Sequence, residues 1–211
     1  MERARLEAFS DGVFAVAITL LALNLALPGP GHDNGPLLRQ VGAHWPSFVA
    51  YLISFFTIGI IWVNHHAVVM TIAVVDRTLL FLNLLLLFFV VLIPFGTATM
   101  AAYLTAGGQD AQVAVVLYGG IFQGMGLSFA AIFGWTLRDG RTHRSLPTAV
   151  RRAAWLRFAV GNLGYAVAIV MALTPTSWSA PAALALIGLV AVYYIAERTP
   201  AARGPSDAPV P

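Results

Sequence analysis

Ser10 and Asp11 stand side by side at the foot of an apolar run, RLEAFSDGVFAVAITLLALNLAL over residues 5–27, and Thr19 is a single hydroxyl near its middle. A second apolar run ends in WVNHHAV, which brings Trp62, Asn64, His65 and His66 together. Carboxylate, imidazole and hydroxyl groups can relay protons, ligate a metal or coordinate a cation, and spacing decides between these. Adjacent helical residues point about 100° apart, so His65 and His66 do not easily bind one metal from one helix. The other histidines, His32, His44 and His143, fall in predicted loops, and the absence of cysteine removes thiolate ligands and nucleophiles. A hydrogen-bonded latch fits better. Asp11, with the like-charged Glu7 one turn before it, needs a partner near a membrane boundary, and His65 or His66 can supply one together with Ser10 and either Trp62 or Asn64. Asn83 and Asn162 are further polar residues inside apolar runs, read as packing residues.

The first run has two unlike faces. Taking Gly12 as zero and turning 100° per residue, Val16, Thr19 and Leu23 all fall within about 40° of it. Phe14, Ile18, Leu21 and Leu25 cluster on the opposite side, near 200°, while Ser10 and Asp11 lie off the slim stripe. Helix packing is one reading of that stripe, with Gly12 allowing close approach and the Thr19 hydroxyl returned to the Ala15 carbonyl. The other surrounds an axis with several copies of it, making Val16 and Leu23 apolar rings and Thr19 a polar layer between them. Apolar rings gate by dewetting, and rings of oxygen replace part of an ion's water shell.

Positioning these residues requires a bilayer. The chain has 211 residues, 59% of them hydrophobic and only 10% charged, with mean hydropathy +0.80. A soluble domain does not hide that much hydrocarbon, so an all-α, polytopic membrane protein is expected. Six apolar stretches, at about 8–27, 46–70, 79–104, 112–137, 153–173 and 179–197, are separated by turn chemistry at Pro28–Gly31, Asp76-Arg77, Gly107-Gly108, Gly140–Pro147 and Thr174-Pro175. Residues 1–198 thus read as a single six-helix transmembrane domain, and 199–211 as a disordered cytoplasmic tail. The first segment mixes acids with its arginines and shows no A-x-A site, so it is expected to be retained. All 12 basic residues are arginine, and with an inside N-terminus every one except Arg39 falls on or near the cytoplasmic side. Gly120 and Gly124 form a small-xxx-small pair for close helix approach, Pro94 is expected to kink the third span, and Trp45, Trp135 and Trp178 suit an interfacial belt.

The residues that carry these features also match a known pattern. Arg5, Phe9, Ser10 and Asp11 fit R-x-x-x-F-S-D, and the GVFAVAITLLALNL that follows resembles the first helix of prokaryotic members of the transmembrane protein 175 family. The segment IGIIWVNHHAV is similar to that family's W-x-x-H-H element. The clear resemblance covers roughly the first third of the chain, and the later spans agree in number and spacing. It implies a potassium-permeable cation channel of six helices per subunit, conducting passively as a homotetramer with the first helix of each subunit lining the pore. On that reading Val16 is the apolar constriction, Thr19 the filter layer with permeating K+ near it, and Leu23 the next pore-facing apolar position, with Gly12 on the same stripe. Arg5, Phe9, Ser10, Asp11 and a histidine of the second span are implied to be structural ties. The usual potassium filter string TVGYG is absent; Gly161-Asn162-Leu163-Gly164-Tyr165 is the nearest. Valine replaces the isoleucine or leucine common at the constriction, so the gate is expected to be leakier or Leu23 to be the tighter ring. Hydroxyls on mobile side chains coordinate more loosely than a carbonyl cage, so a modest K+ preference is expected.

The resemblance implies no enzyme activity and no cofactor beyond permeating K+. The expected partners are the chain itself and membrane lipid, with no nucleic acid or soluble partner. The expected location is the cell membrane, multi-pass, with both termini cytoplasmic. The competing class is a secondary or proton-coupled transporter. It calls for a carboxylate near the midplane or broken helices in inverted repeats, whereas Asp11, Asp76, Asp110, Asp139 and Glu197 all sit at span ends.

Overall fold

The computed structural model describes residues 2–31, 35–138, 140–143 and 147–196. The tail expected beyond residue 198, together with His32, Asp139, Arg144 and Glu197, lies outside the described residues. The chain is all-helical: α1 (Arg3–Ala22), α2 (Leu37–Ala43), α3 (Trp45–Val69), α4 (Arg77–Tyr103), α5 (Gly108–Thr136), α6 (Thr148–Ala172) and α7 (Ser179–Ala196). The short α2 was not expected from the hydrophobic runs. It sits in the connection after α1, which first tightens into a 3-10 turn over Leu23–Leu25. Among the described residues five helices, α1, α3, α4, α5 and α6, are long and apolar enough to cross a membrane. Helix α7 has 18 residues, about 27 Å at 1.5 Å per residue, slightly less than the ~30 Å of a hydrocarbon core.

Helix α4 organises the bundle, packing on α1, α3 and α5, while α5 passes the contacts on to α6, α6 to α7, and α7 back to α3. Lipid tails are as apolar as leucine, so no hydrophobic drive pulls these helices together, and close packing with interhelical hydrogen bonds must do so. Both are present at the centre. Tyr118 of α5 is fully buried; its hydroxyl lies 2.8 Å from Ser54 Oγ of α3, which lies 2.6 Å from Thr97 Oγ1 of α4. Thr97 donates in turn to the Ile93 carbonyl at 2.7 Å. Interhelical hydrogen bonds of this kind average about 0.6 kcal/mol and reach about 2 kcal/mol, so this chain of hydroxyls is a material part of the cohesion of three helices.

The small-xxx-small pair divides. A Cβ on Gly124 would run into the Phe89 ring of α4, whereas Gly120 has nothing close by; Gly119 and Gly126 are the other close approaches, toward Ile169 and Asn162. The contact surface of α5 therefore follows the wheel of α4 and α6 rather than the i, i+4 spacing of one glycine pair. Trp135 is also no belt residue. It is 2% exposed, and the Arg141 guanidinium stacks over its ring at 4.8 Å. Trp45 and Trp178 stand exposed. Helix α4 continues through Pro94, whose carbonyl accepts from Asn24 Nδ2 at 3.2 Å.

At one end of the bundle the α3–α4 and α5–α6 connections are sewn together. Ile72 and Thr142 form an antiparallel bridge, Ala73 N–H donates to the Arg141 carbonyl at 2.9 Å, and His143 N–H donates to the Thr71 carbonyl at 3.0 Å. Asp76 caps α4 by accepting from Leu79 N–H at 2.8 Å and pairs with Arg141 at 2.6 Å. The capping hydrogen bond, aided by the Arg141 charge, holds the Asp76 carboxyl below its ordinary value of 3.8. A carboxyl held low in the folded state stabilises above its unfolded-state value, and that contribution disappears as pH falls through the folded-state value. Asp76→Ala is accordingly expected to lower the thermal unfolding midpoint at pH 7, with the gap to the wild type closing as pH falls below about 4. A gap of constant size across that range in a thermal scan would show that the carboxylate charge is not its source.

Candidate functional site

Helix α1 rides on α3 and α4 with one face and leaves the other open. Leu6, Ser10, Phe14, Ala17 and Leu21 are buried, a 3–4 residue repeat that lays the bulky stripe against the bundle. Ile18 and Leu25 are half-buried beside them. On the opposite side Gly12, Val16, Thr19 and Leu23 are all exposed, Val16 by 56% and Leu23 by 71%. A Cβ at Gly12 would meet nothing. The wheel geometry of this helix fixes that division: residues that pack cannot share a face with residues 100–180° away. The Thr19 hydroxyl donates to the Val16 carbonyl at 2.9 Å rather than to Ala15. With its only proton used inward, the oxygen keeps its lone pairs for whatever lies outside the protomer, which for a cation is the useful end.

The foot of α1 is bound by three polar ties to α3 and α4. In the buried one, Asn83 of α4 donates from Nδ2 to Ser10 Oγ at 3.0 Å and accepts at Oδ1 from His65 Nε2 at 2.8 Å. Ser10 donates onward to the Leu6 carbonyl at 2.9 Å. The His65 ring also lies 5.5 Å from the Phe14 ring. In the second tie Trp62 Nε1 donates to Asp11 Oδ1 at 2.9 Å, and in the third His66 Nδ1 meets Glu7 Oε1 at 2.9 Å. Arg3 reaches across to the Met70 carbonyl at 3.3 Å.

Ser10, Asp11, Trp62, His65 and His66 therefore converge on one junction, with their pairings sorted by side chain. Asp11 takes the indole, His66 takes Glu7, and His65 reaches Ser10 through an intermediary. That intermediary, Asn83, was read from sequence as a packing residue. The signal for more was its place alone in the run LLFLNLLLLFFVV, because a primary amide in hydrocarbon must find partners for both its ends. Asn64 takes no part in the junction and returns its amide to the Ile60 carbonyl at 2.8 Å. Arg5 and Phe9 stand exposed on the protomer, outside the junction. His65 and His66 face different neighbours, and among the described residues no group of three or more histidine, aspartate or glutamate side chains is placed to hold a metal ion.

Comparison with known proteins places this arrangement in context. The family model for the endosomal/lysosomal potassium channel TMEM175 matches residues 5–94, which take in α1, α3 and the first two-thirds of α4 with Asn83. A potassium channel of Streptomyces collinus is 43% identical over 209 residues, covering 99% of this chain and 98% of its own length. The similarity thus runs through the whole chain, well beyond the first third that the motifs suggested. The endosomal/lysosomal proton channel TMEM175 of the mouse is 32% identical over 135 residues, 58% of this chain and 27% of its own. The crystal structure of a lysosomal potassium-selective channel TMEM175 homologue from Chamaesiphon minutus superposes with a TM-score of 0.79 at 32% identity, covering 92% of this chain and 96% of that one. With near-complete coverage by a bacterial potassium channel and the fold of a solved relative, the chain belongs to the TMEM175 family, a family of ion channels and not of enzymes.

Proposed function

We propose that the protein is a passive, potassium-permeable cation channel in which four copies of the six-helix subunit, with α7 as the sixth span, enclose a pore lined by α1. The observation that carries this reading is the open stripe of α1. Gly12, Val16, Thr19 and Leu23 share one exposed line on a helix whose opposite face packs against the bundle. The ties at its foot leave that line pointing outward, where symmetry-related copies can meet. On this reading Val16 and Leu23 form apolar rings that drive water out of the narrow path when closed, and the Thr19 oxygens form the layer that takes the place of part of the K+ hydration shell. Side-chain hydroxyls flex, so the preference for K+ over Na+ is modest. Ser10, Asp11, Trp62, His65, His66 and Asn83 serve as the anchor that sets the angle of α1, with no role as ion ligands. The subunit sits in the cell membrane with both termini cytoplasmic, a placement that the arginine distribution supports.

Substitutions on the stripe and at its anchor test this reading. Thr19→Val keeps the shape and removes the oxygen, and is expected to lower the K+/Na+ permeability ratio at least about threefold, roughly 0.7 kcal/mol, in liposome flux or bilayer recording. An unchanged ratio would remove Thr19 from the filter. Val16→Asn or Leu23→Asn wets its ring and raises K+ flux; if neither alters conductance, the pore does not follow this face. Asn83→Ala strands the partners of a buried amide and is expected to cost about 1–3 kcal/mol in thermal stability. Asp11→Ala, which frees a half-exposed indole, costs less, and neither change shifts the ion ratio of the protein that assembles.

A further inference from the structure

On the side of α3 away from α1, the bundle holds a cavity of about 200 Å³ among α3, α5, α6 and α7. Its wall carries an aromatic cluster, with the Phe158 ring of α6 lying 5.5 and 5.3 Å from the Phe129 and Phe133 rings of α5. Helix α3 adds Ile60 and Ile61. A cavity of about 150 Å³ lined by leucine, isoleucine and phenylalanine takes up benzene, so this one has room for a single ring with a small substituent.

The hydroxyls of the wall are committed, with one exception. Thr57, Thr71 and Thr136 each donate at 2.7 Å to a carbonyl three or four residues back, and Tyr194 donates to the Arg157 carbonyl at 2.9 Å. Arg157 is itself engaged within the protein, and none of the described lining residues is acidic, so the wall does not call for a charged guest. Tyr165 of α6 is the exception. It is 4% exposed, yet among the described residues its hydroxyl has no hydrogen-bond partner. Tyr118, equally buried, shows the contrast: its hydroxyl lies 2.8 Å from Ser54 Oγ and 3.3 Å from the Ala50 carbonyl. Buried tyrosines ordinarily find such a partner, because an O–H removed from water without one costs free energy. The Tyr165 oxygen is not sealed in by protein atoms, so it fronts the space that the residue lines.

We infer that this cavity is a binding site for a small, neutral aromatic molecule bearing one hydrogen-bond acceptor, its ring among Phe129, Phe133 and Phe158 and its acceptor taking the Tyr165 O–H. The aromatic walls favour a ring over water, and the open hydroxyl separates an acceptor-bearing ring from a hydrocarbon of the same size. The site bears on the rest of the fold through α3. Asn64, Ala67 and Val68 line the cavity, while Trp62, His65 and His66 of the same two turns hold α1, so an occupant backs the segment that anchors α1.

Acetophenone and isopropylbenzene match in size, and only the first carries an acceptor. Titrated into the full chain in detergent at matched free concentrations, both are expected to raise the thermal unfolding midpoint saturably, as ligands of the folded state do. Acetophenone is expected to reach half of its effect at about fivefold lower concentration, the worth of one net hydrogen bond. Tyr165→Phe removes the hydroxyl alone and brings the two curves together. Ala154→Trp, at a half-buried lining position of α6, fills the cavity and abolishes the response to both. Equal half-points in the wild type, or a gap that survives Tyr165→Phe, would overturn the proposal. So would an Ala154→Trp protein stabilised as the wild type is, because the probes would then act through the micelle. A wild type that neither probe stabilises would overturn it as well, leaving water as the occupant.

Discussion

A primary amide in hydrocarbon has two donors and an acceptor to satisfy, and Asn83 uses one donor and the acceptor to join two other helices. Its Nδ2 reaches Ser10 on α1 and its Oδ1 receives His65 from α3, both in a buried setting where an unmade bond carries the full desolvation cost. One side chain of α4 therefore sets how α1 and α3 sit relative to each other. The exposed ties beside it, Trp62 to Asp11 and His66 to Glu7, are weaker because water and headgroups compete for them. They nevertheless act in the same direction and fix the rotation of α1 about its own axis. That rotation is what leaves Val16, Thr19 and Leu23 on the open side.

The same division of labour explains why α1 can carry so exposed an apolar stripe. Half of the helix is packed as tightly as any core segment, with Phe14 1% and Leu21 0% exposed. The other half has no protomer neighbour, yet it is less bulky than the exposed surfaces of α4 and α6, where Phe88, Phe95, Leu156 and Leu163 project. Small residues and a back-bonded threonine on an outer surface suit an approach of helix to helix or helix to water better than a boundary with disordered acyl chains.

Much of this was legible in the sequence. The six apolar runs correspond to α1 and α3–α7, the two faces of α1 follow from a 100° turn per residue, and Ser10, Asp11, Trp62, His65 and His66 have the types and spacing of a latch, which Arg5 and Phe9 do not join. What escaped were matters of partner choice in three dimensions. Which histidine serves which acid depends on where α3 faces α1, and periodicity is silent on that. Asn83 was visible as an anomaly, but its role needed the third helix in place. The short α2 has no hydrophobic period to announce it. The fates of Gly120 and Trp135 were set by which neighbour faced them: nothing approaches Gly120, and Trp135 was covered by an arginine from the following loop.

The polar contacts of α1 are concentrated in its first three turns, and the loops beneath are laced to each other by the Ile72–Thr142 bridge, so its base rests on a stiff plate. A tilt of such a rod about a point near Asp11 has a simple geometric consequence. Leu23 lies about 18 Å along from that point and Val16 about 7.5 Å at 1.5 Å per residue, so a lean of about 5° carries the former roughly 1.6 Å sideways and the latter roughly 0.7 Å. At the far end the buried packing of Ala17 and Leu21 is joined by a polar tie from Asn24 to the Pro94 carbonyl. For any tilt about that point, geometry alone moves the far end more than twice as far as the waist.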